Sequence, residues 1–344
     1  MANTNRSRIL WLDIARGICI LCMVTCHAFG WSHRNPMFTF FTGTWFLVFF
    51  FFCSGMVFKN KHSFGTFALR QAKKLMIPYV LVVGGILLYR IHTGLWWDLS
   101  PALKAKSFFA TLFTSLSADL NNVLLFNTAT IGVGPIWFFT CMFMASLLFK
   151  AIYPCKYRLP LSIVLAAVAA WSQKHILLPL TLQDACIGCM FMALGEFLRP
   201  YVDAFVERLK KLHCLVHLLL AAVLLGIHVL ILAVHPCALD LGSNVYTLFT
   251  LPGSLSGFVF LICLAVFFER TEVFDDYLAF CGSETLLIVV LHDLDIMFLR
   301  NWSDRDNSFL IGTLLLYPFV IHIYRKVMAQ AKLLIQSWKE KAKS

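Results

Sequence analysis

An acid, a base and an imidazole share one apolar stretch near the start of the chain: Asp13, Arg16 and His27, within Ile9–Trp31. Read as a helix, the eleven steps from Arg16 to His27 turn through about 1100°, within about 20° of three full turns. The two residues therefore share a face, about 16 Å apart along the axis, with Ile20 and Met23 filling the stripe between them. Asp13 lies one turn before Arg16, at a spacing that allows an ion pair. An imidazole exchanges a proton near neutral pH, and a guanidinium holds an anion or a developing oxyanion. The set suits proton abstraction beside an anion site. The plain alternative is that Asp13 neutralises Arg16 while His27 packs between helices. The cost of each polar group in an apolar segment favours function.

A second set follows: Arg70, Lys73 and Lys74, at helical spacing just before Leu75. Clustered cations suit a multiply anionic nucleotide, although attraction to anionic lipid accounts for such a face equally well. Further along, Glu284 and His292 stand eight residues apart, roughly 80° from alignment on a helix, and Asp293 and Asp295 follow. The aspartates suit packing and capping near Asn301-Trp302. Asp184 and Glu196 are weaker site candidates. Trp137, after Gly134-Pro135, can wall a tunnel or anchor an interface. Cys19, Cys22 and Cys26, and the pair Cys186/Cys189, have spacings that invite a metal reading. No second Cys/His pair at matching spacing accompanies them, so they read as small apolar side chains and no metal is expected.

The elements that must hold these residues follow from composition. Of 344 residues, 60% are apolar, 14% are charged and 33 are Phe, against roughly 45–50% apolar and 25% charged in soluble domains. The excess must face an apolar solvent. The fold class is therefore all-α, a polytopic integral membrane protein, and the net charge of +11 needs a topological explanation before a nucleic-acid one. No nucleic-acid partner is expected.

About ten stretches have the length and apolarity of a span: Ile9–Trp31, Met37–Phe58, Leu75–Ile91, Gly134–Tyr153, Leu159–Ser172, Leu180–Leu198, Leu212–Val234, Val245–Phe268, Tyr277–Leu299 and Ser308–Ile323. Ser107–Phe126, with Asp119, Asn121 and Asn122, reads as interfacial or re-entrant. With the N-terminus in the cytoplasm, 21 of the 29 basic residues fall on the cytoplasmic side, which favours both ends inside. Residues 1–330 then form a single transmembrane domain, and 331–344 a basic cytoplasmic tail. The first stretch holds Asp13, Arg16 and His27 and has no clear cleavage site, so it does not read as a signal peptide.

Several motifs together resemble the membrane-bound acyltransferase family 3. They are Asp13-x-x-Arg16-Gly17 with His27, the Phe-rich second span ending in Ser54-Gly55, and Arg70-x-x-Lys73 before Ile77-Pro78-Tyr79. Later come Gly134-Pro135-Ile136-Trp137-Phe138-Phe139, then Gly282-Ser283-Glu284-Thr285-Leu286 running to Leu291-His292. Members of that family include O-acetyltransferases of bacterial polysaccharides, lipopolysaccharide and peptidoglycan. Two departures matter. The family's paired arginines appear as Arg70 and Lys73, and lysine lacks the bidentate fork. Val289-Val290 stand where a tyrosine often precedes the histidine.

The resemblance implies an acyl donor, usually acetyl-coenzyme A from the cytoplasm, and a hydroxyl acceptor at or beyond the outer face, in the inner membrane of a bacterium. His27 then serves as general base or transient acyl carrier, with Asp13 holding Arg16. Arg16, Arg70 and Lys73 bind the donor, and His292 is a second site residue. A protein completing the transfer outside the membrane would be a separate chain. The competing reading is a transporter or flippase for a polar small molecule or lipid-linked sugar, which uses intramembrane ionisable groups equally well.

Overall fold

The computed structural model describes residues 9–28, 45–92, 136–173, 178–234, 251–298 and 316–330, with the isolated positions 101 and 333. Among these residues the regular structure is helical throughout, with no strand. The order is α1 (Leu10–Ala28), α2 (Phe46–Met56), α3 (Phe64–Gln71), a π-helical turn (Ala72–Met76) running into α4 (Ile77–His92), then α5 (Trp137–Ile152) and α6 (Arg158–Ser172). After these come α7 (Leu182–Lys211), α8 (Cys214–Val234), α9 (Leu251–Thr271), α10 (Asp275–Ser283), α11 (Thr285–Phe298) and α12 (316–330).

Four stretches among the described residues are long and apolar enough to cross a bilayer: Phe64–Tyr89, Pro179–Lys211, Cys214–Val234 and Leu251–Thr271. The bent pair Asp275–Ser283 and Thr285–Leu294 makes a fifth if it counts as one span. Leu81, Leu88, Leu219, Leu230 and Val234 point outward from α4 and α8, which is stable only in a lipid solvent. The chain is a multi-pass helical membrane protein. The expected interfacial segment Ser107–Phe126 and, apart from position 333, the tail lie outside the described residues.

The centre is aromatic. α2 is buried on every side, so its run of Phe has no polar face to give up. Phe49, Phe52 and Phe191 meet Phe258 of α9 with ring centroids 5.2, 5.0 and 5.7 Å apart. Glycines let the helix backbones touch where they cross, as bilayer helices do for lack of a hydrophobic drive between them. A Cβ on Gly55 would sit 1.9 Å from the Met192 carbonyl oxygen, and one on Gly195 2.1 Å from that of Phe52. At the α1/α10 crossing, a Cβ on Gly282 would lie 1.8 Å from the Asp13 carbonyl oxygen.

Polar bonds join other pairs. On α8, His217 is fully buried, with Nε2 2.9 Å from the Cys263 carbonyl oxygen and Nδ1 3.2 Å from Arg270 Nη1. A guanidinium only donates, so Nδ1 accepts, and Nε2–H donates to the carbonyl.

Several expected spans have different bounds: the third, expected from Leu75, belongs to an apolar stretch that begins at Phe64. The sixth does not stop at Leu198: α7 is 30 residues long and continues through Pro200 to Lys211, carrying its last turns on a charged face. The ninth is not one straight helix. It bends by 76° between α10 and α11, at Gly282-Ser283-Glu284. There the Ser283 hydroxyl donates to the Phe280 carbonyl at 2.9 Å and that of Thr285 to Gly282 at 2.8 Å. The Glu284 carbonyl then accepts from the Ile288 amide at 3.0 Å and starts α11. Small and hydroxylic residues that bond their own backbone favour such a break.

Candidate active site

The polar residues of α1 sit where the helices converge. α1 is unbroken from Leu10 to Ala28, so its register places positions 16 and 27 on one face. The His27 side chain lies outside the described residues. Asp13 is buried and accepts from Arg16 Nη1 at 3.4 Å, the ion pair its spacing allows. The Arg16 side chain stays one-third exposed, 32% against 13% for Asp13, because it opens onto a cavity.

That cavity holds about 520 Å³ and has two unlike halves. Its exposed rim carries Lys59, Lys61, Arg70 and Lys74, with His62. Its inner wall is apolar and buried or half-buried: Phe50 of α2, Phe138 and Met142 of α5, Met192 of α7 and Leu286 of α11, with Ser54, Ser146 and Thr285 among them. Arg16 adds a fifth cation, and no carboxylate is among the lining residues. A multiply anionic group with a slender, less polar extension matches this division of charge.

Local sequence accounts for the rim. Ser63 caps α3, its hydroxyl accepting from the Thr66 amide at 3.4 Å, as N-cap serines do. α3 then passes into the π turn Ala72–Met76. A π turn takes one more residue than an α turn and shifts the face of everything after it. Lys74, four residues on from Arg70, shares its face and lines the cavity with it, while Lys73 is outside the lining. Helical spacing admits both lysines, and it is the resemblance to the family's paired arginines that singles out Lys73. Of the expected donor set, the fold brings Arg16 and Arg70 together.

The other candidates have separate surroundings. His292 is fully buried on α11, two turns beyond the cavity-lining Thr285, with Nδ1 3.4 Å from the Tyr317 hydroxyl of α12. The hydroxyl missing at Val289-Val290 thus arrives from a different helix, which no motif around His292 signals. Glu284 is buried at the α10/α11 break and pairs with Arg325 of α12. Asp293 is buried beside His292; the Asp295 side chain lies outside the described residues. Asp184 is buried and accepts from Gln173 Nε2 at 2.9 Å. Glu196 takes a bidentate pair from Arg158, at 2.9 and 2.7 Å, and this raises the Arg158 pKa still further above its ordinary value. Trp137 opens α5 but does not line the cavity; its neighbour Phe138 does. Among the described residues, no three His, Cys, Asp or Glu side chains are placed to hold a metal.

Contacts gather the basic segments at the cavity end. Lys150 reaches the α2–α3 loop, the Phe58 and Tyr153 rings meet at a tilt with centroids 4.9 Å apart, and Lys210 of α7 pairs with Glu269 of α9 at 3.1 Å. The chain is thus a helical membrane bundle enclosing a cationic cavity with an apolar inner wall. The family described as an acyltransferase domain, acyltransferase family 3, matches residues 9–323, and the chain belongs to it. The protein is a membrane acyltransferase. Neither the curated proteins nor the solved structures give a match.

Proposed function

We propose that the protein transfers an acetyl group from cytoplasmic acetyl-coenzyme A to a hydroxyl of a cell-envelope sugar or glycan. In this reading it lies in the inner membrane of a bacterium, with about ten spans and both termini in the cytoplasm. Residues 1–330 form the transferase and 331–344 a basic tail. The observation that carries it is the cavity: five cations, no carboxylate among the lining residues, and an apolar inner wall. Arg70, Lys74, Lys59 and Lys61 take the donor phosphates, with Lys73 adding to the field. Arg16, held by Asp13, stands at the inner end of the charge. The donor supplies an activated thioester carbonyl, which its long arm carries along the apolar wall toward His27, about 16 Å further along α1.

At that point the imidazole of His27 takes the proton of the acceptor hydroxyl. The oxygen forms its bond to the acetyl carbon, the carbon–sulfur bond breaks, and the thiolate leaves to be protonated. His292, within reach of the Tyr317 hydroxyl, is the second site residue on the facing helix. General acid–base help of this kind contributes about 10²–10⁴-fold. Purified protein in nanodiscs with labelled acetyl-coenzyme A tests the reading. Wild type should release coenzyme A in step with acetylation of an envelope glycan acceptor, and His27→Ala should insert normally and transfer at least about 10²-fold more slowly. Near-normal transfer by His27→Ala sinks the base assignment, and acetyl-coenzyme A left intact by wild type favours a transporter.

A further inference from the structure

Lys59, Lys61 and His62 belong to the short loop between α2 and α3, where the Lys61 amide donates to the Lys59 carbonyl at 2.9 Å, a backbone bond that does not by itself hold the like-charged side chains toward one cavity. Mutual repulsion would spread them. The restraint comes from α5. Met142, Ser146 and Lys150 recur every four residues on one face of that helix. The first two line the cavity, and the third lies behind the loop. Lys150 is buried, 8% exposed. Its ammonium donates to the Asn60 side-chain carbonyl and, at 2.6 Å, to the His62 backbone carbonyl. The Phe67 ring stands 5.8 Å from the same nitrogen. From the other side, Arg70 Nη1 donates to His62 Nε2 at 2.5 Å. The loop is thus tied from α5 and α3, and Lys150 reaches it without lining the cavity itself.

Both acceptors of Lys150 are neutral, and a lone basic residue at the membrane surface would do better pointing into water or at lipid phosphate. Spending a buried ammonium on two loop oxygens makes sense if the geometry of the loop matters. We infer that Lys150 is a positioning residue for the anion site: it holds Asn60 and His62 so that Lys59 and Lys61 face a polyphosphorylated donor that Lys150 never touches. This rests on the donor reading above.

The test uses the full chain in nanodiscs, coenzyme A as the probe, and trypsin as a reporter of the loop. Lys150→Met and Asn60→Ala should each weaken coenzyme A binding by about tenfold, a loss of about 1.4 kcal/mol. The double variant should be no weaker than the worse single one, because both cut the same tie. Lys150→Arg, which can still donate to two oxygens, should stay within about threefold of wild type. In turnover, the KM for acetyl-coenzyme A should rise while kcat holds, and trypsin should cut after Lys59 and Lys61 faster in both single variants. Asn60 is exposed, so Asn60→Ala carries the test if Lys150→Met does not fold. Unchanged affinity together with unchanged cleavage in Asn60→Ala overturns the inference. Failure of wild type to bind coenzyme A overturns the donor reading and this role with it, and the trypsin pattern then shows separately whether Lys150 fixes the loop.

Discussion

Replacing Gly282 by alanine probes the joint on which the site depends. α10 crosses α1 with backbone against backbone. A Cβ at 282 would stand 1.8 Å from the Asp13 carbonyl oxygen and 2.8 Å from the Gly17 amide nitrogen, where real Cβ atoms essentially never come within 3.0 Å. The helices must therefore part by about 1.2 Å, and neither colliding atom belongs to a side chain that can swing aside. Overpacking of this kind costs about 1–3 kcal/mol, and a rigid contact puts it in the upper half of that range. The melting temperature of the solubilised protein should fall by on the order of 5 °C. The same movement displaces Asp13, hence Arg16, from Thr285 and Leu286, which follow Gly282 by one turn and line the cavity. Coenzyme A affinity should drop with stability. Gly65→Ala is the control, since a Cβ there meets nothing within 4 Å and alanine gains up to about 1 kcal/mol in a helix. Thermal unfolding followed by intrinsic fluorescence measures both. A Gly282→Ala protein that melts with wild type and binds normally would refute the crossing as described.

The remaining predictions concern charge. Lys74→Ala should weaken coenzyme A binding by about tenfold and Lys73→Ala by less than about threefold, since of the two only Lys74 lines the cavity and a charge farther from the phosphates is screened by salt; equal losses in titration calorimetry would count against this cavity as the phosphate site. At the α10/α11 break, Arg325→Ala should lower the melting temperature more than Glu284→Gln. The first strands a carboxylate that is 5% exposed, whereas the second leaves an arginine that is already 61% exposed. Stranding a buried charge costs about 3–5 kcal/mol, and half-exposure of the partner reduces this to roughly 1–2 kcal/mol. The reverse order of melting temperatures would mean that the pair does not anchor α12.

Much of the molecule follows from local pattern. Apolar runs about as long as a bilayer is thick announce helices in lipid, and most of the described helices overlap those runs, whereas α3 and the end of α7 lie beyond them. The Asp13–Arg16 pair and the shared face of positions 16 and 27 follow from helical period alone, because residues a few turns apart on one helix are placed by its geometry. The acyltransferase motifs are likewise strings that can be read without a fold.

What escaped local pattern depends on contacts between distant segments. Lys74 rather than Lys73 lines the cavity, although both stand within about a turn of Arg70 and helical spacing alone does not choose between them. Lys150 meets the α2–α3 loop because α5 packs behind a segment some ninety residues earlier in the chain. His292 meets a hydroxyl from Tyr317, 25 residues away, and a single span became two helices at 76°. Helical period and apolarity are properties of neighbours along the chain, so the sequence alone established the membrane helices and the α1 stripe. Which cations share one cavity is a property of packing, and only the tertiary structure could decide it.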